Sequence, residues 1–171
     1  MRKGKRNVLL DTCIMSSLVK IGRSGWLRDV ARFHNWNLCT TSAVRDELAE
    51  FFDGSLLVAY GISVVEEDFA LQIDANRLKS QVSRQLSETD IGLLALARRR
   101  MWPIWGNDSR LLRAAEERSV EVYRLFAPIV DMARQGHLDR HGVYDCGKRL
   151  AANDRRFTEA DLRNLFLKLF Q

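Results

Sequence analysis

The chain alternates between short apolar runs and longer stretches in which hydrophobic residues recur every three or four positions. Runs of the first kind predict strands, and the three-to-four periodicity predicts amphipathic helices. Because parallel neighbouring strands need a crossover element between them, this alternation predicts an α/β domain with a mainly parallel sheet. The predicted strands lie at residues 7–10, 37–41, 62–65, 103–105 and 120–125.

Helical stretches occupy the intervals between these strands. Ser87 and Asp90 have the spacing of a capping box, which predicts that a helix begins there. The long periodic stretch before Ser87 is therefore expected to form a separate helix. The predicted helices of this part lie at residues 13–20, 42–52, 69–85 and 91–99, and from Asp108 through residue 118.

From about Pro128 the strand pattern disappears and only helical periodicity remains. Thr158 and Asp161 repeat the capping-box spacing, which predicts the start of a last helix. Between the helices, the polar residues 153–156 predict a hinge. The predicted helices lie from Pro128 through residue 135, at 138–152 and at 159–170.

Length and composition allow one packed core. The chain has 171 residues, of which 46% are hydrophobic, and no linker rich in Pro, Gly or Ser divides it. We expect residues 1–127 to form the core and residues 128–171 a helical extension that packs on it within a single domain. One apolar face of the last helix predicts core packing or a dimer contact: Leu162, Leu165, Phe166 and Leu169.

The net charge and the cysteine content indicate which partners and which cellular compartment to expect. The formal net charge of +5 favours association with polyanions, although it does not select among them. Three widely spaced cysteines without a Cys-x-x-Cys pair indicate a reducing compartment rather than a disulfide framework. The apolar run at 7–10 is far too short for a signal-peptide core or a membrane span. We therefore expect a soluble, cytoplasmic protein that does not associate with membranes.

Four acidic residues lie on the apolar stripes of four different predicted helices: Asp11, Glu47, Asp90 and Asp108. An unpaired carboxylate on a buried face is unfavourable, so these positions call for an explanation. Asp11 and Asp108 could be N-caps, and Asp90 could be the reciprocal residue of the Ser87 capping box. Glu47 resists this explanation because it lies in the second turn of its helix.

Convergence of the acids on a divalent metal ion is the alternative to capping. Asp11 and Asp108 follow predicted strands, and ligands of parallel sheets bind beyond the carboxyl ends of the strands. Mg²⁺ and Mn²⁺ prefer oxygen ligands and are often held by a few carboxylates together with substrate phosphates. A cluster of acids without His or Cys has this chemistry, and it would activate water without a side-chain nucleophile.

Four short segments resemble, in order and spacing, the acidic motifs of PIN-domain nucleases. They are VLLDT at 8–12, TTSAVRDEL at 40–48, LSETDIGLLALA at 86–97 and GNDSRLL at 106–112, and the resemblance extends over about residues 7–125. It implies a three-layer α/β/α sandwich and a Mg²⁺- or Mn²⁺-dependent endoribonuclease. Carried over by position, the metal-binding and catalytic residues would be Asp11, Glu47, Asp90 and Asp108.

The resemblance also suggests a biological role. Many small members of the family are toxins of toxin–antitoxin pairs, of the VapC type, and others process ribosomal RNA precursors. It implies an RNA substrate, a homodimer and, for a toxin, an antitoxin protein. Two features depart from the family pattern: Gly106 lies where Thr or Ser is common, so that Thr12 or Ser109 would have to supply a hydroxyl, and the helical tail exceeds that of the smallest members.

Other functional classes remain to be weighed against a nuclease. A catalytically silent PIN-like module would bind RNA or a protein without cleaving. A response-regulator receiver needs adjacent acids after the first strand, and a haloacid-dehalogenase-type phosphatase needs Asp-x-Asp where this chain has Asp11, Thr12 and Cys13. Both phosphotransfer classes are therefore disfavoured.

Basic side chains near the acids have two interpretations. The run from Arg98 to Arg100 ends a predicted helix, where cations match the helix dipole, or it could contact phosphates. Arg110 and Arg113, one turn apart after Asp108, are the stronger candidates for phosphate contact.

Three further features are predicted to be structural. Trp102 and Trp105 flank a strand and are expected in the core rather than on bases. Glu88 is expected to face solvent rather than the acids. A possible zinc trio lacks a fourth ligand and is interrupted by glycines: His137, His141 and Cys146.

Overall fold

The computed structural model describes residues 4–53, 55–82 and 86–171. Within these ranges five strands form one parallel sheet in the order β3-β2-β1-β4-β5. The strands are β1 (Arg6–Leu10), β2 (Trp36–Thr41), β3 (Ser63–Val65), β4 (Ile104–Gly106) and β5 (Val122–Arg124). Helices flank the sheet, and the predicted α/β/α sandwich is confirmed.

Among the described residues, seven helices connect the strands. They are α1 (Thr12–Lys20) and α2 (Trp26–Phe33), α3 (Ser42–Ala49) and α4 (Ser55–Ala59), α5 (Phe69–Lys79) and α6 (Glu88–Arg100), and α7 (Ser109–Glu116). Crossovers between parallel strands are right-handed. The connections β1 to β2 and β2 to β3 therefore lie on one face of the sheet, and the connections β3 to β4 and β4 to β5 lie on the other.

The centre of the sheet is buried on both faces. Val8, Leu9 and Leu10 of β1 have no exposed surface, because β1 lies between β2 and β4 with helices above and below. Leu10 pairs with Trp105 in register, and the Trp105 indole donates a hydrogen bond of 3.0 Å to the carbonyl of Leu125. This continuous apolar strand brings the chain to Asp11 in a fixed position at the carboxyl edge of the sheet.

Sequence patterns missed two helices and overextended two. Helix α2 has no side-chain N-cap hydrogen bond, so the signal that marks other helix starts is missing, and α4 has only five residues. Helix α3 ends at Ala49 rather than at residue 52, and α5 ends at Lys79. The last residues of the predicted helix 69–85 lie outside the described part of the chain.

Three C-terminal helices pack against the core and against one another. They are α8 (Ala127–Arg134), α9 (Arg140–Asn153) and α10 (Glu159–Phe170). Helix α8 contacts β5 and α2, and the ring Nε2 of His34 is hydrogen-bonded to the carbonyl of Pro128 at 3.1 Å. Leu165 and Leu169 of α10 are buried, whereas Phe166 is partly exposed.

The polar segment 153–156, predicted as a hinge, lies at the end of α9 and in the turn before α10, and one of its residues is buried. Asp154 is only 6% exposed and forms ion pairs with Lys20 and Arg156. The pair with Lys20 could not be predicted, because Lys20 lies 134 positions earlier, out of reach of any local pattern.

No helix among the described residues is long and apolar enough to cross a lipid bilayer.

Candidate active site

Asp11 lies at the carboxyl end of β1 and is the N-cap of α1. Its side chain accepts hydrogen bonds from the backbone N–H of Ile14 at 2.8 Å and of Asn107 at 3.2 Å. The residue is 3% exposed, and no Lys or Arg of the described ranges forms an ion pair with it. Burial raises the pKa of Asp11 to about 6, although backbone hydrogen bonds oppose the shift, and the charge of Asp90 adds to it.

Asp108 lies beside Asp11 on the loop after β4. It is the N-cap of α7 and accepts backbone hydrogen bonds from Arg110 at 2.8 Å and Leu111 at 3.1 Å. Burial tends to raise its pKa, but these backbone bonds and the Arg110 guanidinium at 3.3 Å hold the pKa below its ordinary value. A backbone hydrogen bond from Asp108 to the Asp11 carboxylate joins the two loops.

Asp90 approaches the same place from α6. The predicted capping box is present: Ser87 Oγ accepts from the Asp90 N–H at 3.0 Å, and Asp90 Oδ2 accepts from the Ser87 N–H at 3.1 Å. Burial raises the pKa of Asp90 despite these bonds, and the negative charges of Asp108 and Glu47 act in the same direction.

Glu47 is directed from α3 to the start of α1. Thr12 Oγ1 donates a hydrogen bond of 2.7 Å to Glu47 Oε2. The hydroxyl of Thr41 caps α3 and thereby fixes the direction of that helix. Of the two residues considered as sources of a hydroxyl, Thr12 contacts one of the four acids.

Each of the four acids therefore interacts with at least one other, through a hydrogen bond or through electrostatic repulsion. A backbone hydrogen bond joins Asp108 to the Asp11 carboxylate, and the negative charge of Asp90 raises the pKa of Asp11. The negative charges of Asp108 and Glu47 in turn raise the pKa of Asp90. The capping roles proposed as alternatives are realised in Asp11, Asp90 and Asp108. Capping does not exclude metal binding, since a carboxylate has about four lone-pair directions.

Gly106, the last residue of β4, has no space for a side chain unless its neighbours move. A Cβ atom there would lie 2.8 Å from Asp11 Oδ2 and 2.9 Å from Leu112 Cδ2. The departure from the family pattern thus has a steric basis, because the Asp11 carboxylate lies against the Gly106 backbone.

The set of donors fits a hard cation in its chemistry, since all four side chains are carboxylates. Two of them, Asp11 and Asp90, have raised pKa values in surroundings that a nearby cation would make favourable. Over residues 4–53, 55–82 and 86–171, however, no three His, Cys, Asp or Glu side chains form a group ready to hold a metal ion. A metal would therefore require side-chain adjustment or an oxygen from the substrate.

Sequence reasoning missed a basic residue at the edge of this site. Arg156 comes from the segment between α9 and α10, and its Nη1 lies 2.6 Å from the sulfur of Cys13. Asp154 holds the pKa of Arg156 above its ordinary value, and the charge of Asp11 acts in the same direction. No sequence signal could have found it, because the contact joins positions 143 residues apart.

Asn107 was also missed as a separate contributor. Its backbone N–H is bonded to Asp11, while its side-chain Nδ2 is buried without a hydrogen-bond partner among the described residues. A buried amide donor without an acceptor is unfavourable, so this atom identifies a place where an acceptor would stabilise the protein.

The other predicted basic residues occupy different places. Arg110 pairs with Asp108, and Arg113 pairs with Glu117 at 3.2 Å. The run from Arg98 to Arg100 ends α6, at the opposite end of that helix from Asp90. This position supports the interpretation of the run as a helix end.

The features expected to be structural behave as predicted. Trp105 is fully buried, Trp102 packs against the core, and Glu88 is exposed in an ion pair with Lys79. The residues of the possible zinc trio have different surroundings: His137 packs on Phe33, His141 packs on Phe170, and Cys146 is buried.

Comparison with solved structures finds a similar fold. The chain matches a PilT N-terminus domain protein from the hyperthermophilic archaeon Sulfolobus solfataricus with a TM-score of 0.53 and 12% sequence identity. The match covers 73% of this chain and 92% of the archaeal one. No protein-family profile matches the chain, and no curated protein matches it.

Proposed function

We propose that this chain, which has the PIN-domain (PilT N-terminus) fold, is a divalent-metal-dependent endoribonuclease. The residues that would carry the activity are Asp11, Glu47, Asp90 and Asp108. The single observation that carries the proposal is the environment of Asp11. This carboxylate is almost fully buried, its pKa is raised to about 6, and its neighbours include another acid with a raised pKa. An arrangement of this kind is unfavourable for stability and typical of functional sites.

The four acids would hold Mg²⁺ or Mn²⁺, which supplies a Lewis acid for the phosphate and lowers the pKa of a coordinated water. The backbone N–H groups of Ile14 and Asn107 fix the orientation of the Asp11 carboxylate. Thr12 fixes Glu47 in the same way. Positions fixed before substrate binds lower the reorganisation needed in the transition state.

Side-chain nucleophiles do not suit this site. Cys13 is the nearest candidate, but burial raises the pKa of its thiol to about 12, and the charges of Asp11, Asp108 and Asp90 add to the shift. The thiol is therefore protonated at neutral pH, which makes it a poor nucleophile. Activated water remains as the attacking group.

We further propose RNA as the substrate and, by the family resemblance, the toxin of a toxin–antitoxin pair as the role. The net charge of +5 favours a polyanionic substrate. An RNA-maturation nuclease without an antitoxin is the alternative role. A neighbouring gene for a small DNA-binding antitoxin that neutralises the protein would support the toxin. Sedimentation equilibrium would test the proposed homodimer.

The test is cleavage of structured and single-stranded RNA with Mg²⁺, Mn²⁺ or a chelator. We expect cleavage with either ion and none with the chelator, and Asp108→Asn should lower the rate by at least about 100-fold. Asp46→Asn is the matched control, because Asp46 is an exposed acid on α3 paired with Arg45. Cleavage that persists in the chelator would overturn metal dependence. RNA binding without cleavage under any condition would favour a silent binding module.

A further inference from the structure

A cavity of about 140 Å³ with several basic residues in its wall lies next to the loop that carries Asp108, between the core and the C-terminal helices. On the core side its wall includes Asn107 and Ser109, the two neighbours of Asp108 in the chain, and Arg124 at the end of β5. On the other side the wall includes Arg156 and Lys168. These five residues define what we call the basic cavity.

Positive charge predominates in its wall. Lys168 is exposed and forms no ion pair with any described residue, and Arg124 is only loosely paired with Glu116 at 3.8 Å. The one carboxylate in the wall belongs to Asp161, which is engaged by the N–H and hydroxyl of Thr158. Loosely paired cations around a concave wall attract an anion.

Arg156 is held ready between the cavity and the acids. Asp154 accepts hydrogen bonds from its Nε at 3.0 Å and its Nη2 at 2.8 Å, an arrangement that fixes the plane of the guanidinium. The third nitrogen, Nη1, contacts the sulfur of Cys13, two residues after Asp11. The segment between α9 and α10 thus carries a fixed cation to the edge of the acidic site.

Asn107 supplies an independent indication of a ligand. Its side chain lines the cavity, and its buried Nδ2 has no acceptor among the described residues. A phosphate oxygen in the cavity would offer this amide an acceptor once the side chain turns toward it, and the same cations would attract that oxygen. No other atom of the wall leaves a buried donor unpaired in the described part of the chain.

We propose that the basic cavity binds one phosphodiester group of the substrate strand, adjacent to the phosphodiester that is cleaved in the same strand. The C-terminal helices then form part of the substrate site. The identity of the strand as RNA rests on the proposed function. Lys168 and Arg124 contact the non-bridging oxygens, and Arg156 lies between this phosphate and the acids. The cavity thereby sets the direction in which the strand crosses the site.

The test is the affinity of a short fluorescent single-stranded RNA, measured with Ca²⁺ and with chelator, as a function of salt. We expect Lys168→Gln and Arg124→Gln each to raise the Kd about fivefold and to lower the salt slope by about one. Arg163→Gln is the control, because Arg163 lies on α10 outside the cavity wall and removes the same charge. Arg156 is not used as a probe because it also pairs with Asp154.

Each outcome separates this inference from the proposed function, because cleavage with Mg²⁺ is measured in parallel. If the wild type cleaves RNA but the Lys168 and Arg124 variants bind it with unchanged affinity, phosphate binding in the basic cavity is contradicted. The proposed nuclease activity is then still supported. Cavity-dependent binding without cleavage would overturn the nuclease and keep the cavity. Equal weakening by Arg163→Gln, or no binding of RNA by the wild type at low salt, would overturn the cavity.

Discussion

Asp11 and Asp154 are both buried aspartates, yet their surroundings are opposite. Asp154 has Lys20 and Arg156 as partners, and hydrogen bonding to Arg156 lowers its pKa to about 2. Asp11 has backbone N–H groups but no ion pair in the described part of the chain, and burial raises its pKa to about 6. The same side chain is thus a structural anchor in one place and an unfavourable charge in the other.

The difference separates stability from function. A carboxylate with a lowered pKa stabilises the folded state at neutral pH, whereas one with a raised pKa destabilises it. Asp154 needs no further partner. Asp11 has no cationic partner in the described part of the chain, and the negative charge of Asp90 makes its ionised form still less favourable. This is the physical reason to propose that a metal ion binds at Asp11.

Asp11→Asn should have the largest effect and should act in two directions. We expect RNA cleavage to fall by about 1,000-fold, because the metal loses a central ligand. Without metal, the free energy of unfolding at pH 7 should rise by about 2 kcal/mol. Relief of the raised pKa contributes roughly 3 kcal/mol, and the loss of the hydrogen bond from Asn107 to Oδ2 offsets about 1 kcal/mol. Urea unfolding and RNA cleavage measure the two effects.

The stability of the metal-free wild type should depend on pH through Asp11. Folded Asp11 retains its proton up to about pH 6, whereas the unfolded chain releases it near the ordinary value of 3.8. The folded state binds more protons between these values, so this residue's contribution makes stability fall as the pH rises through that window. Asp11→Asn should remove this fall, and an unchanged profile in the variant would contradict the assignment.

Asp154→Asn should destabilise the protein by roughly 2 kcal/mol at pH 7, the equivalent of lowering its pKa from 3.8 to about 2. Here the sign is reversed, because the unfolded chain binds the proton first. The contribution is complete above the ordinary pKa and disappears as the pH falls through about 2. Urea unfolding measured from pH 7 down to pH 2 should show that the free energies of unfolding of the variant and the wild type converge as the pH falls.

Asp145→Asn is the control for this measurement, since Asp145 is an exposed acid of α9 paired with Lys148. We expect no measurable change for it, because exposed pairs contribute little. If Asp154→Asn were as harmless as this control, Asp154 would not be the anchor described above.

Gly106→Ala should have the smallest effect on stability, about 1 kcal/mol, at the low end of the cost of overpacking. The new Cβ would lie 2.8 Å from Asp11 Oδ2 and 2.9 Å from Leu112 Cδ2, so both side chains would have to move. We expect metal-dependent cleavage to fall because the carboxylate is displaced, while the Asp154 ion pairs are unaffected. Urea unfolding and cleavage under saturating Mg²⁺ test this, and full activity with normal stability would show that the contact is easily relieved.

Much of the fold could be predicted because its signals are local. Apolar runs located all five strands, and the Ser87 and Thr158 capping boxes located the starts of α6 and α10. Helix α2 was missed because no capping side chain marks its start. Propensity and periodicity describe neighbours in the chain, and they find only those elements whose signals are carried by neighbours.

The candidate site divides along the same line. The four acids could be selected from the sequence because each interrupts an apolar stripe, a local anomaly. Arg156 and the unpaired amide of Asn107 could not, because their importance arises from contacts across the tertiary structure. Whether the four acids bind metal remains a prediction, as does the role as a toxin.

The distance in sequence between Asp108 and Arg156 also has a consequence during synthesis. On a translating ribosome, the loop with Asp108 is made 48 residues before Arg156. At elongation rates of about 5–20 residues per second, the nascent chain spends several seconds with its acidic residues complete and the fixed guanidinium not yet made. In this interval the newly made protein lacks the guanidinium that contacts Cys13 next to Asp11, so the order of translation itself delays completion of the candidate site.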